Sequence, residues 1–221
     1  MAQIIVDVII PLTSSTVTIQ KSVQEGSGTT ASGTFSHAEG SGTTANGTYS
    51  HAEGGSCTAD SGFAHAEGSG TTASGDDSHA EGYLTTASGG ISHAEGANTI
   101  ASGAYSHAEG NSTITIGQFS HAEGYLTTAS ADYSHAEGQQ TIASGIASHS
   151  EGVGTTASGN YSHAEGQNTT ASGQEAHAEG FNSTASGRGA HAEGVGSNAT
   201  AQGAHSESTS TASGVGAHSE Y

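Results

Sequence analysis

This sequence predicts an all-β fold, a parallel β-solenoid flattened into a two-sided roll of about 14 residues per coil, and three observations carry the expectation. First, a histidine and a glutamate two places later recur every 14 residues. The frame runs from His37 and Glu39 through His51, Glu53, His79, Glu81, His107, Glu109, His135, Glu137, His163 and Glu165 to His205 and Glu207. Val23 with Glu25 extends it upstream, and His218 with Glu220 closes it one residue early. Second, small residues alternate with larger or polar ones in both halves of the unit. Third, 15 of the 21 acidic residues are the periodic glutamates, so the net charge of -19 is an ordered column. Composition alone, with 31% hydrophobic residues, 35 Gly and no Trp, resembles a disordered chain; the fixed period does not.

The elements follow in chain order, as a 1–21 segment and a 22–221 roll of about 15 tandem repeats. In the first segment Ile4, Val6, Val8 and Ile10 share one strand face, Ile5 and Ile9 lie on the other, and Pro11 breaks the run before Val17 and Ile19 alternate. It is expected to cap the first coil or to mediate assembly with another subunit. Within the roll, alternation over Ser36 to Gly40 places Ser36, Ala38 and Gly40 on one face and His37 with Glu39 on the other. Over Thr71 to Gly75, Thr71, Ala73 and Gly75 share one face and Thr72 with Ser74 the opposite one. The two small-residue faces then oppose each other across a thin core. Gly40, Gly54 and Gly68 close the first half, where a turn calls for positive φ.

Substitutions between repeats fit this register. The inward alanine gives way once, to Thr115, whereas outward positions exchange Thr72 or Thr86 for Ile100, Ile114 and Ile142, and Ser74 for Asn46 or Ile116. Cys57 occupies the slot of Thr43 and Thr71 and reads as a small core residue. Phe35, Tyr49, Tyr105, Phe119, Tyr133 and Tyr161 precede the His strands and are expected to stack between coils or to cover one edge of the roll. Fifteen coils spaced at ~4.8 Å would extend about 70 Å.

Several functions are disfavoured by composition. Lys21 and Arg188 are the only basic side chains, too few for a nucleic-acid partner or an anionic membrane surface. The apolar run from Ile4 to Ile10 is too short to span a bilayer and holds Asp7, so no membrane insertion is expected, and it does not read as a signal peptide.

The pattern SxAxG followed by xAxG at 14-residue spacing resembles the head repeats of trimeric autotransporter adhesins of the YadA type. The SHAEG variant is also similar to repeats of bacteriophage tail-fibre and virion proteins. The resemblance covers roughly residues 22 to 221. It implies a left-handed roll, three chains side by side as a homotrimer, and a fibrous role in attachment, on an extracellular appendage or virion surface with a host-surface receptor. Adhesin heads place two apolar residues toward the trimer axis; here His37 and Glu39 and their repeats take those places. Neither a membrane anchor nor a long heptad stalk is recognisable.

The His and Glu columns are expected to form a hydrogen-bonded assembly lattice between chains. Stacked glutamates ~4.8 Å apart repel by roughly 1 kcal/mol in water. Adjacent imidazoles relieve this, so the carboxylates should raise the His pKa; protonation of all 14 His would bring the charge from -19 to -5. Stability should then decline on the alkaline side. A straight ladder supplies metal-ligand types without convergence, so no metal or other cofactor is assigned. Ser36 points away from His37 and Glu39, so no catalytic group is assigned either. The expected function is that of a non-enzymatic structural or adhesive fibre that self-assembles, with head-to-tail association into filaments as a further expectation. The competing reading is an ice-binding solenoid using the outward Thr30, Ser32, Thr72, Ser74, Thr156, Ser158, Thr170 and Ser172.

Overall fold

A computed structural model describes residues 22–220. Ile4, Val6, Val8 and Ile10, the expected N-terminal assembly segment, lie outside the described residues, as does Tyr221. The described residues contain strands and turns and no helix, so no helix among them is long and apolar enough to cross a membrane. They divide into two compact units between Asn98 and Thr99, each a parallel β-solenoid.

In the first unit, the strands Val23–Ser27, His37–Ser41, His51–Gly55, His65–Ser69, His79–Tyr83 and His93–Ala97 pair in that order, His on His and Glu on Glu from the second strand onward. Two-residue strands from Thr30–Ala31 to Thr86–Ala87 form the second sheet. In the second unit, the short strands run from Ile100–Ala101 to Thr211–Ala212, and the longer ones from His107–Asn111 to His218–Ser219. The longer strands contract to His163–Ala164 and His177–Ala178 in the later coils. The coil that closes one residue early absorbs the deletion in its bend, where Ser210 Oγ donates to the Glu207 carbonyl at 2.7 Å. His205 therefore still pairs with His218.

Strand alternation sets the core. Ala38, Ala52, Ala66 and Ala80 point inward in the first unit and Ala122 and Ala136 in the second, all fully buried against the inward Thr and Ala of the short strands. Thr115 is buried in its alanine slot, and Cys57 is buried in its threonine slot, its thiol 3.2 Å from the Gly68 carbonyl oxygen. The inward serines close the turns behind them: Ser36 Oγ donates to the Gly33 carbonyl at 2.8 Å and Ser120 Oγ to that of Gly117 at 2.7 Å. Thr43 Oγ1 donates to the Glu39 carbonyl at 3.1 Å, but in other coils the threonine slot is filled for shape. Thr127 is fully buried and its hydroxyl has no hydrogen-bond partner, a state that costs free energy. Thr127→Val, which keeps the branched shape, is expected to stabilise the protein by about 1 kcal/mol in chemical denaturation; a loss of stability would show that the hydroxyl is satisfied.

The turns depart from the glycine-only expectation. Gly40 has φ 110° as anticipated, but Phe35 and Tyr49 each sit at φ 59°, Leu84 at 52° and Leu126 at 57°. Left-handed backbone costs a residue with a Cβ roughly 1–2 kcal/mol. Two gains offset it. The amide of Tyr49 donates to the Thr34 carbonyl and that of Phe63 to Thr48, both at 2.9 Å. The rings stack, Phe35 on Tyr49 and Tyr49 on Phe63 at 5.1 Å, and Tyr105 on Phe119 at 4.8 Å. Stacks of this kind contribute about 0.5–1.5 kcal/mol.

Candidate functional site

The outward face of the longer strands carries the chemistry. Because His and Glu occupy alternate positions of one strand, both project from the same face, and in-register parallel pairing aligns each with its copy in the next coil. In the first unit the rings of His37, His51, His65, His79 and His93 stack in turn at 4.7–4.8 Å, with interplanar angles of 2–14°. In the second, His107 lies on His121 at 5.0 Å, and the column continues through His135, His149, His163, His177, His191 and His205 to His218.

Most of the imidazoles meet a carboxylate. Within a coil, His37 Nε2 is 4.0 Å from Glu39 Oε2, His51 3.8 Å from Glu53, His79 3.8 Å from Glu81, and His135 3.6 Å from Glu137. Glu109 aligns with Glu123 beside the stacked His107 and His121. From Glu151 onward the glutamates turn toward the next coil: Glu151 reaches His163 at 3.8 Å, Glu165 reaches His177 at 3.4 Å, and Glu193 reaches His205 at 3.4 Å. Only at His218 and Glu207 does the separation shrink to 3.0 Å and a hydrogen bond form among the pairs described. The structure thus brings the sequence-assigned His and Glu residues onto one face, with Nε2 buried beneath the carboxylates.

Within one chain, the protonation chemistry of six histidines runs opposite to the sequence expectation. His65, His79, His121, His149, His163 and His191 are held below their ordinary pKa, first by desolvation of the stacked rings and then by the charge of the neighbouring imidazole. The adjacent glutamates raise these values but do not prevail. A half-buried ring between two rings gains charge on a nearly apolar stack, while the carboxylate stands too far off for a strong charge-assisted bond.

The glutamates divide. Glu151 and Glu179 are pushed up to about 7, foremost by hydrogen bonding to Glu165. Glu165 and Glu193 are lowered, foremost by the hydrogen bond from Glu179. From Glu151 to Glu193, carboxyls with raised and lowered pKa therefore alternate, which eases in that stretch the repulsion that histidine was expected to relieve.

The stability profile changes sign accordingly. A His whose folded pKa lies below 6.5 contributes stability that is complete above 6.5 and is lost as pH falls through the folded value. Glu165 and Glu193 likewise contribute above 4.5 and lose it as pH falls. Glu151 and Glu179 act oppositely: their contribution is complete below 4.5 and is lost as pH rises toward 7. Melting temperature is expected to drop from pH 7.5 to pH 5, the raised glutamates offsetting part of the fall. His65→Gln with His121→Gln should flatten the acid limb; a decline confined to the alkaline side would reverse this assignment.

Ser36 lies on the opposite face, buried and bonded to the Gly33 carbonyl, so His37 and Glu39 have no serine beside them there. The aromatic ladder carries a second exposed surface. Of the residues expected to stack, Phe35, Tyr49, Tyr105, Phe119 and Tyr133 do, joined by Phe63. Tyr83, Leu84, Tyr125 and Leu126 at the other bend are also exposed, and no apolar periodicity marked them because their neighbours in the column are Ala, Gly, Ser, Asn and Gln.

No curated protein matches this chain. The family model described as the YadA head domain repeat matches residues 25–50, 80–106, 94–120, 136–162 and 164–190, together more than half of the sequence. These segments each carry the His and Glu half, the short strand and the glycine turn described above, and on that basis the chain belongs to the YadA head domain repeat family, as an adhesin-like, tandem-repeat β-solenoid protein.

Proposed function

We propose that this protein is a non-enzymatic structural and adhesive fibre component, displayed on an extracellular appendage or virion surface, whose chains associate side by side as a homotrimer through the His and Glu face. The observation that supports this reading most is the mismatch between core and surface. The interior is filled by Ala, Ser, Thr and Gly with one Cys, whereas the half-buried imidazole and carboxylate columns repeat through each unit. A core so thin gains little from apolar burial, and association supplies the remainder. The apolar Ile4, Val6, Val8 and Ile10 are the segment proposed for end-to-end contact into filaments. A host-surface receptor is the partner of the assembled fibre. Light scattering is expected to give a trimer mass and negative-stain imaging to show fibres; a dilute, monodisperse and thermally stable monomer would sink the proposal.

The short-strand sheet supports a second reading. Thr30, Thr44, Thr58, Thr72 and Thr86 stand in one outward column, paired residue on residue in the first unit, and the hydroxyls repeat at the spacing of a parallel sheet. Such a column suits an ice-binding role. Thermal hysteresis with ice shaping would favour it over the fibre reading.

A further inference from the structure

We propose that the His and Glu column is a linear array of sites for divalent transition cations of the Zn2+, Ni2+ and Cu2+ class, each ion held between an imidazole Nε2 and the carboxylates beside it. The separation of the ligand atoms is the first ground. Nε2 of His135 is 3.6 Å from Glu137 Oε2, that of His191 is 3.5 Å from Glu179 Oε1, and that of His205 is 3.4 Å from Glu193 Oε1. These are poor hydrogen-bond distances. They are the distances between two ligands of one ion, because metal bonds of about 2.0–2.2 Å at a tetrahedral angle set the donor atoms about 3.4 Å apart.

The nitrogen's own state is the second ground. Nε2 of His135 and His191 is buried and makes no hydrogen bond. A neutral imidazole that keeps its proton on Nδ1 offers Nε2 as a lone pair, the form in which histidine binds metals. A cation would satisfy a buried polar atom that the chain itself leaves unsatisfied.

Convergence is the third. Stacked rings alone supply little of it: their planes are nearly parallel at 4.7–4.8 Å, whereas one ion bound to both at about 2.1 Å requires the nitrogens within about 4.2 Å. The carboxylate closes the gap. Glu193 places Oε2 3.9 Å from His191 and Oε1 3.4 Å from His205, so the ligand atoms of the three residues lie within 4.8 Å of one another. His135, Glu137 and His149 repeat the arrangement, as do His205, Glu207 and His218. A small ring tilt then brings the second imidazole into the sphere. Along the carboxylate side runs an open groove of 380 Å³, lined by Glu179, Gly180, Glu193, Gly194, Glu207 and Ser208, through which the ion and its remaining waters enter. Mixed imidazole and carboxylate donors select this class over Ca2+ and Mg2+, which favour all-oxygen shells. Each ion also offsets the negative charge of the ionised carboxylates beside it.

All these ligands come from one chain, so each site needs no second copy, although the sites share the face proposed for the trimer seam. The full chain, free of any affinity tag, is titrated with Zn2+ by calorimetry, and with Co2+ by visible absorption. The expected result is saturable uptake of several ions per chain, a Co2+ spectrum of imidazole coordination, a raised melting temperature, and no comparable response to Ca2+. His191→Gln with His205→Gln should bind fewer ions per chain, by at least one, with unchanged circular dichroism. If that double variant fails to fold, Glu193→Gln is titrated instead and should weaken binding at this site about tenfold. Weak, non-saturating Zn2+ uptake, equal binding of Ca2+, or full stoichiometry in the folded variants overturns the proposal.

Discussion

Gly124→Ala is expected to destabilise the second unit by about 4 kcal/mol, near the upper end of single-substitution effects. The glycine sits at φ 110°, a region that residues with a Cβ scarcely enter, which alone costs on the order of 1–3 kcal/mol. A Cβ built there lies 2.1 Å from the Gly138 carbonyl oxygen and 3.0 Å from its carbon. The clashing atom is backbone, held in place by the next coil, so it cannot rotate away. The neighbouring coils must instead separate and lose ladder hydrogen bonds. Gly196→Ala is the matched control: its φ is 68° and a Cβ there meets nothing within 4 Å, so only the left-handed backbone term of roughly 1–2 kcal/mol should remain. Urea denaturation followed by circular dichroism, with hydrogen exchange to locate the opening, measures both. Equal effects at the two positions would mean that inter-coil backbone contact is not what selects glycine.

Ala136→Leu should cost about 3 kcal/mol. Ala136 is fully buried, paired with Ala122 and Ser150 in its sheet and facing the short-strand residues across a core built of Ala, Ser and Thr. In most proteins an overpacked side chain finds relief by rotating its neighbours. Here the neighbours have almost no side chain to rotate, so the two sheets must part along several coils. The outward position gives the contrast, since Thr128 shares its column with Ile114 and Ile142, and Thr128→Leu should change stability by less than about 0.5 kcal/mol. The same denaturation experiment reads both variants, and an Ala136→Leu protein as stable as the parent would refute the thin-core account.

These expectations rest on different depths of reading. Ala136 and Thr128 were distinguishable from the repeats themselves, because alternation fixes which of two faces a strand residue takes. The same reasoning brought His37, Glu39 and their copies to one outward face and Cys57 into the core. Phe35, Leu84 and Leu126 were not legible as left-handed residues, since the usual marker of positive φ is glycine and these positions hold large side chains. Their cost is met by inter-coil amide bonds at Leu84 and Leu126 and by ring stacking at Phe35, which become visible only once the coils are superposed.

The amino-acid sequence by itself determined the period, the parallel register, the small-residue core and the inward and outward assignment, because each follows from a repeat length and the twofold alternation of a strand. Only the tertiary structure decided how the aligned side chains act on one another. Stacking His121 and His149 on their neighbours makes desolvation outweigh the attraction of nearby carboxylates, and the turn of Glu151, Glu165 and Glu179 toward the next coil makes carboxyls share protons among themselves. Whether an imidazole is charged depends on ångström-scale distances and burial, and neither is encoded in spacing along the chain.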